Sequence, residues 1–325
     1  MGSSIRVKKT AVVLFNLGGP ASQEEVKPFL YSLFSDPAII SLPNPFRSIL
    51  AYFIARNRLK ETQAIYAHLG GGSPLLKNTK AQATALQTEL GDGYRTFVAM
   101  RHAAPKMQAT FHEVKDYDPQ EVILLPLYPQ YSTTTTESFL KGWNKVAKGW
   151  MTPTHFVSSY PTQNDFIEAT RVLTVPHYEK AKTQGEPMVL FTAHGLPEKI
   201  IKRGDPYQGH VEKTVQSLIE KLEISSKEVV LCYQSRVGLL KWIGPSTEEE
   251  VLKAAQERKP LVVVPVSFVS EHSETLVELD ITYRNLALSH GCPAYYRVET
   301  VQTHPSFIRC LATLVKEKDN SINVA

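Results

Sequence analysis

The chain has 325 residues, 42% of them hydrophobic and 21% charged, with a net charge of +4; that length suits two domains with proper cores. The composition excludes a disordered chain, and so small a positive surplus gives no footing for a nucleic-acid partner. Cys232, Cys292 and Cys310 lie far apart and form no CxxC pair, so neither a disulfide framework nor a cysteine-built metal site is implied, and a reducing, cytoplasmic setting is expected.

The N-terminus reads MGSSIRVKKTAVVLFNLGG. Its apolar run is only about seven residues long and no small-residue cleavage site follows, so it predicts a first strand rather than a signal peptide. No run reaches the roughly 18 apolar residues of a spanning helix. Along the chain, apolar runs at 11–17, 94–100, 121–128, 154–160, 188–195, 228–235, 261–268 and 294–300 alternate with helical patterns. Most are continuously apolar, as strands covered on both faces are, and the alternation predicts parallel α/β sheets. Ligands of such sheets bind at the carboxyl ends of the strands.

Between the first two strands, Ser41-Leu-Pro-Asn-Pro-Phe46 reads as a loop. Phe46 to Ala55 (FRSILAYFIA) follows as a short apolar helix, and after it the basic cluster Arg56, Arg58 and Lys60. It reads either as a core helix with a solvated charged end, or as an exposed apolar lip that admits an apolar, anionic ligand or rests on a membrane.

The chain also repeats itself weakly. VVLFNLGGP near residue 12 resembles VLFTAHGLP near 189, and LLPLYPQYS from Leu124 resembles VVPVSFVSE from Val263. Aligning Phe15 with Phe191 gives an offset of 176 and Pro126 with Pro265 one of 139, so the first half carries about 37 extra residues. The region of about 36–72 is the candidate. Two similar α/β domains across a cleft would gather both sets of strand ends around one ligand.

Strand ends then carry the polar residues to read. Asn16-Leu-Gly-Gly-Pro20 is too short for GxGxxG; Tyr128 to Thr136 is aromatic and hydroxyl-rich; His194-Gly195 stops the fifth strand; Ser267 to Glu274 follows the seventh. If a helix starts near Glu271, then Glu271, Glu274 and Glu278 share a face with no basic residue four positions on, and a cation is the natural missing partner. Imidazole with carboxylate suits Fe²⁺ or Zn²⁺. HExxH, P-loop and nucleophile-elbow patterns are absent.

Asn16–Pro20, Phe34-Ser-Asp-Pro37, Tyr66 with Gly70-Gly-Gly-Ser-Pro74, Leu127–Ser132, His194-Gly-Leu-Pro197, Tyr233–Gly238 with Trp242 and Gly244-Pro245, and Ser267–Leu276 leading to Glu278-Leu-Asp280 stand in order along the chain. Together they resemble the ferrochelatase family, whose members insert Fe²⁺ into a porphyrin. The resemblance implies two similar Rossmann-like, chelatase-type domains with parallel sheets facing a central cleft. The first is expected over 1–157, with the apolar lip at about 36–72 and joined by a C-terminal helix at 304–325; the second, over 158–303, is expected to carry the metal site.

By the same resemblance His194 and Glu274 are the catalytic and metal-meeting pair, with Glu271 and Glu278 as a path for metal or protons. Asn16, Leu17, Tyr66, Ser73, Tyr128, Ser132 and Trp242 line the macrocycle pocket, Arg58 stands near the propionates, and Arg101 and His102 form a polar pair on the opposite porphyrin face. Protoporphyrin IX and Fe²⁺ are then substrates, no prosthetic group is needed, and the lip offers peripheral membrane contact. Some family members bind a [2Fe–2S] cluster through cysteines near the C-terminus; here that region has only Cys310, so no cluster is expected. A chelatase for coproporphyrin III or another metal, a tetrapyrrole or metal carrier, and a two-lobed solute-binding protein are the alternatives, and the oligomeric state stays open.

Overall fold

The computed structural model describes residues 8–236, 238 and 240–320. Eight strands fall where the apolar runs lie: β1 Thr10–Asn16, β2 Tyr94–Met100, β3 Glu121–Pro126, β4 Thr154–Phe156, β5 Met188–His194, β6 Val229–Gln234, β7 Leu261–Pro265 and β8 Tyr295–Arg297. The helices are α1 Val26–Phe34, α2 Phe46–Ala67, α3 Leu75–Leu90, α4 Met107–Tyr117, α5 Thr136–Val146, α6 Asn164–Lys182, α7 Glu198–Lys202, α8 Tyr207–Leu222, α9 Thr247–Gln256, α10 Arg284–Ser289 and α11 Pro305–Asn320. A π-helix, Glu274–Tyr283, leads directly into α10.

The strands form two four-stranded parallel sheets with the same order twice, β2-β1-β3-β4 and β6-β5-β7-β8. The internal repeat is therefore real, but its alignment needs one correction. Pro126 pairs with Phe15, whereas Pro265 pairs with Thr192 and not with Phe191. A parallel strand buried on both faces is apolar at every position, so its sequence has no alternation by which to fix the register.

Three helices separate β1 from β2, against α7, α8 and one 3₁₀ turn between β5 and β6. The surplus element is α2. It is longer than the sequence suggested, running 22 residues straight through Arg56, Arg58 and Lys60. Charges do not stop a helix; this one stops just before Gly70 and Gly71, which both take positive φ.

Helices α3, α6, α8 and α11 fill the space between the sheets. Val12 and Leu125 of one sheet, Phe191 and Val264 of the other, and Tyr160, Phe166 and Phe307 between them belong to one buried cluster. The outer faces are covered separately, by Phe111, Phe139 and Trp143 on the first sheet and by Val251, Leu279 and Tyr283 on the second.

Buried amides also lock the halves together. Gln82 on α3, wholly buried, donates to the carbonyls of Val269 at 2.9 Å and Gln302 at 3.1 Å and accepts from Ser270 Oγ at 2.9 Å. Gln130 donates to Thr214 Oγ1 at 2.9 Å and to the Val266 carbonyl at 3.1 Å. Gln82→Leu keeps the volume but strands two carbonyls and a hydroxyl, so it should cost roughly 3 kcal/mol. Denaturant unfolding measures this, and a loss below about 1 kcal/mol would show the staple to be dispensable.

Candidate active site

Both sheets present their carboxyl ends to one cleft. On the first side β1 ends at Asn16, whose Oδ1 accepts from the Leu17 amide at 2.8 Å while its Nδ2 reaches Thr79 Oγ1 at 3.4 Å. The glycines that follow are there for contact. A Cβ on Gly19 would lie 2.6 Å from Ser73 Cβ, and one on Gly72 would lie 2.3 Å from the Ala21 carbonyl oxygen. The Asn16–Pro20 and Gly70–Pro74 loops therefore cross backbone to backbone, fastened by the Ser73 amide to the Pro20 carbonyl at 2.7 Å. This crossing brings Leu17, Ser73 and the end of α2, with Tyr66, into one wall. Tyr66 is buried and its hydroxyl bonds with Ser273 at the start of the π-helix, so it spans the two halves.

On the second side β5 runs buried to Ala193 and releases His194 half-exposed. Gly195 turns sharply beneath it: a Cβ there would meet the Gln234 carbonyl oxygen at 2.9 Å and the Trp242 ring at 3.4 Å. Trp242 pairs through its backbone with Pro197, which closes the turn. The backbone of His194 is held from both ends, its amide donating to Ser267 Oγ at 3.1 Å and its carbonyl accepting from Tyr207 Oη at 3.0 Å. Its Nδ1 meets Glu274 Oε2 at 2.8 Å, with 39% and 29% of the two side chains exposed.

Glu274 continues into a second carboxylate. Ser235 Oγ lies 2.8 Å from Glu274 Oε2 and 2.6 Å from Glu278 Oε2. Glu278 also accepts from the Ser235 amide at 2.9 Å, Gln234 Nε2 at 3.1 Å and Tyr283 Oη at 3.0 Å. Burial would raise the Glu274 pKa, but the His194 charge and hydrogen bond outweigh it and hold this carboxyl at about 2. Burial and the neighbouring Glu274 charge push Glu278 the other way, upward. One hydroxyl proton cannot serve two carboxylates. Ser235 therefore donates to one carboxylate at a time and links the two, whose environments push their proton affinities apart.

The third member of the acidic row is elsewhere, which corrects the sequence reading. Glu271 precedes the helix, is buried, and pairs with Arg297 Nη1 at 2.9 Å and the Thr300 amide at 3.0 Å. Arg297 also faces Asp280 at 3.3 Å. The missing cation of the row thus comes from β8, and only Glu274 and Glu278 remain at the cleft. Among the described residues no group of three or more His, Cys, Asp or Glu has metal-holding geometry.

The remaining predicted residues divide. Tyr128 sits half-buried against Phe15, with ring centroids 6.2 Å apart, and Ser132 is buried and bonded to Asp205 at 3.0 Å. Arg58 is half-buried on α2, its guanidinium 6.0 Å from the Phe34 ring. Arg101 is committed to Asp36 at 2.7 Å and Ser138 Oγ at 2.8 Å. His102, expected beside it on the porphyrin face, is buried; burial first and then the Arg101 charge lower it to about 4, so it stays neutral behind Arg101. Sequence reasoning missed Asp205 and Arg297, and it held Ser235 and Ser273 only inside motifs, without a role for either. Ser235 had a signal only in hindsight: it takes φ 61°, the left-handed region that non-glycine residues seldom occupy without a reason.

A sequence model of the ferrochelatase family matches residues 9–319. The chain belongs to the ferrochelatase family. Curated ferrochelatases agree along nine-tenths or more of their length. That of Wolbachia sp. subsp. Drosophila simulans (strain wRi) is 50% identical over 312 residues, 94% of this chain and 98% of that protein. The ferrochelatase of Pelagibacter ubique (strain HTCC1062) is 46% identical over 318 residues, covering 96% and 92%. That of Caulobacter vibrioides (strain NA1000 / CB15N) is 48% identical over 315 residues, covering 95% and 90%. Among solved structures, SirB from Bacillus subtilis with Fe³⁺ superposes at a TM-score of 0.60 with 12% identity, covering 97% of this chain and 98% of that one. CbiX, the terminal enzyme for biosynthesis of siroheme in denitrifying bacteria, gives 0.50 at 12%, covering 95% and 99%. At such identity these two establish the fold, the two-domain chelatase arrangement, and nothing finer.

The His194–Glu274 pair has a measurable signature. Burial would lower His194, but the Glu274 charge and hydrogen bond, with Glu278 behind, raise it above its ordinary 6.5. Its contribution to stability is complete below 6.5 and is lost as pH rises through the raised value; that of Glu274 is present above 4.5 and is lost as pH falls toward about 2. An NMR titration of the His194 imidazole in the ligand-free protein should therefore have its midpoint above 6.5, and Glu274→Gln should move it down. A midpoint indifferent to that substitution would rule out the pairing.

Proposed function

We propose that this chain inserts Fe²⁺ into protoporphyrin IX, releasing two protons and forming protohaem, the terminal step of haem formation. The observation that carries the residue roles is the His194–Glu274 contact of 2.8 Å at the mouth of a cleft between two parallel sheets. Two pyrrole N–H protons must leave for each metal that enters, and an imidazole, which titrates nearest neutral pH and whose proton affinity Glu274 raises, is the side chain suited to accept one. Glu274, kept ionised, stabilises the imidazolium that results and attracts the incoming cation. These two residues form the catalytic and metal-meeting pair, and Glu278, reached through Ser235, receives the proton that passes on.

Asn16, Leu17, Tyr66, Ser73, Tyr128, Ser132 and Trp242 line the macrocycle, with Arg58 toward its propionates and Arg101 at the opposite wall. The divisions 1–157 and 158–303, with 304–325 returned to the first, fit the two sheets that form the cleft, though 1–7 and 321–325 lie outside the described residues. No iron–sulfur cluster enters this reading, since Cys232, Cys292 and Cys310 lie far apart along the chain and only Cys310 falls near the C-terminus.

Around the entrance, Phe46 and Phe53 of α2 are 64% and 52% exposed, and Ile49, Leu50 and Tyr52 are exposed with them. Full burial of one such side chain is worth about 1.5–3 kcal/mol, so a row of them left in water calls for a covering ligand or surface. Arg47, Arg56 and Lys60 on the same helix add charge suited to carboxylates or anionic lipid heads. We read this as a lip that admits porphyrin and rests peripherally on a membrane. Among the described residues no helix is long and apolar enough to cross one.

Purified protein given Fe²⁺ or Zn²⁺ with protoporphyrin IX, and separately with coproporphyrin III, tests the reading by absorbance. His194→Ala should abolish metal insertion while porphyrin still quenches and binds; full turnover in that variant would sink the assignment. Phe53→Glu should weaken porphyrin or vesicle binding about tenfold without lowering thermal stability, because it charges a face already in water. Unchanged affinity for both would count against the lip.

A further inference from the structure

Asp205 lies in the turn between α7 and α8, and no sequence motif singles it out. It is buried, yet among the described residues it forms no ion pair. Its Oδ2 accepts from Ser132 Oγ at 3.0 Å, the Thr133 amide at 2.7 Å and Thr133 Oγ1 at 2.6 Å, and its Oδ1 accepts from the Tyr207 amide at 2.9 Å. Arg203, two residues earlier, lines the same crevice of about 270 Å³ but does not pair with it. Taking a carboxylate out of water without a cation is costly, and only a full set of donors makes it tolerable. Here three of the four come from the other half of the molecule, from the loop after β3.

The fourth donor is what gives this contact a direction. Tyr207, whose amide Asp205 holds, donates its hydroxyl to the carbonyl of His194 at 3.0 Å. A continuous path thus runs from Ser132 and Thr133 through Asp205 and Tyr207 to the strand end that carries His194. Gln82 also joins the halves, but it grips the backbone of Val269 and Gln302, away from the His194 turn. Gln130 holds Val266, beside the Ser267 that takes the His194 amide, and so supports the other side of the same strand end.

We propose that Asp205 is a positioning residue for metal insertion, fastening the Ser132–Thr133 wall of the porphyrin pocket to the strand end that presents His194. This rests on the iron-insertion reading above for its substrate. The wall must lie against one face of a flat macrocycle while His194 addresses its centre from the other half. A displaced wall holds the macrocycle less tightly in ground and transition state alike, which reads in KM and Kd more than in kcat.

Asp205→Asn is the sharp variant. Asparagine keeps the shape and still caps a helix well, but it has a single acceptor oxygen. Either the Tyr207 amide or the Thr133 amide must then face an NH₂ group. The expected result is a KM for protoporphyrin raised about tenfold with a smaller change in kcat, and a matching rise in Kd by quenching of protoporphyrin fluorescence. Thr133→Val should move both in the same direction by less, and the double variant should be no worse than Asp205→Asn, because the two act through one contact.

Gln82→Leu controls for mere loosening of the domain junction: it should lower the melting temperature and leave KM alone. An Asp205→Asn protein that melts lower but keeps the wild-type KM and Kd would overturn the proposal, and so would an equal rise in KM from Gln82→Leu. The fluorescence titration reads porphyrin binding whether or not metal insertion follows. A wild-type chain that binds porphyrin but inserts no metal would therefore refute the iron-insertion reading, while the Asp205→Asn titration would still decide whether the clamp shapes the pocket.

Discussion

Everything at the cleft depends on one constraint: polar groups carried into the interface between the two halves must all find partners there. Gln82, Gln130 and Asp205 are each buried where the halves meet, and each is met by carbonyls, hydroxyls or amides of the opposite half. Unmet, any of them would cost free energy comparable to a lost hydrogen bond or more. Apolar surfaces alone would let two similar sheets slide over one another, since hydrophobic contact is not directional. The amides remove that freedom at the junction, and the carboxylate of Asp205 ties the loop after β3 to the strand end that presents His194.

Given that frame, the chemistry needs few residues. His194 comes from the last position of β5 and Glu274 from the first turn after β7, two strands that are hydrogen-bonded neighbours. The π-helix matters at this point. Its wider winding carries Glu274 and Glu278 to the same hydroxyl of Ser235, and such winding is often found at functional sites. Two carboxylates of the same kind then differ in proton affinity because one faces an imidazole and the other faces the first. Polarity is created by arrangement, without a change of residue type.

The entrance obeys a different rule. Helix α2 has no counterpart in the second half, and its exposed aromatic and aliphatic side chains find no place in the protein's own core. Burial of Ala51, Ala55, Thr62 and Tyr66 is enough to anchor the helix, so the rest of its apolar surface is free to serve a ligand. Tyr66 links the two functions. It closes the same helix against the π-helix start and puts a hydroxyl between that helix and the His194–Glu274 pair.

Local and periodic features were legible in the chain. Eight apolar runs marked the eight strands, their continuity marked parallel sheets, and the glycine and proline after His194 marked a strand end turned toward a cleft. The resemblance of seven short motifs pointed to the family, and pairwise identities near one half along the full length establish it. What stayed hidden was whatever depends on residues distant in sequence. Arg297 lies 26 positions from the Glu271 it neutralises, Asp205 lies 72 from Thr133, and Ser235 lies 39 from Glu274. A charge or a hydroxyl announces its chemistry in the sequence but not its partner, because the partner is set by where the chain folds back. Hence the chemistry of the strand-end side chains could be read along the chain, while their pairing, their support and the closing of the cleft came into being only when the two sheets met.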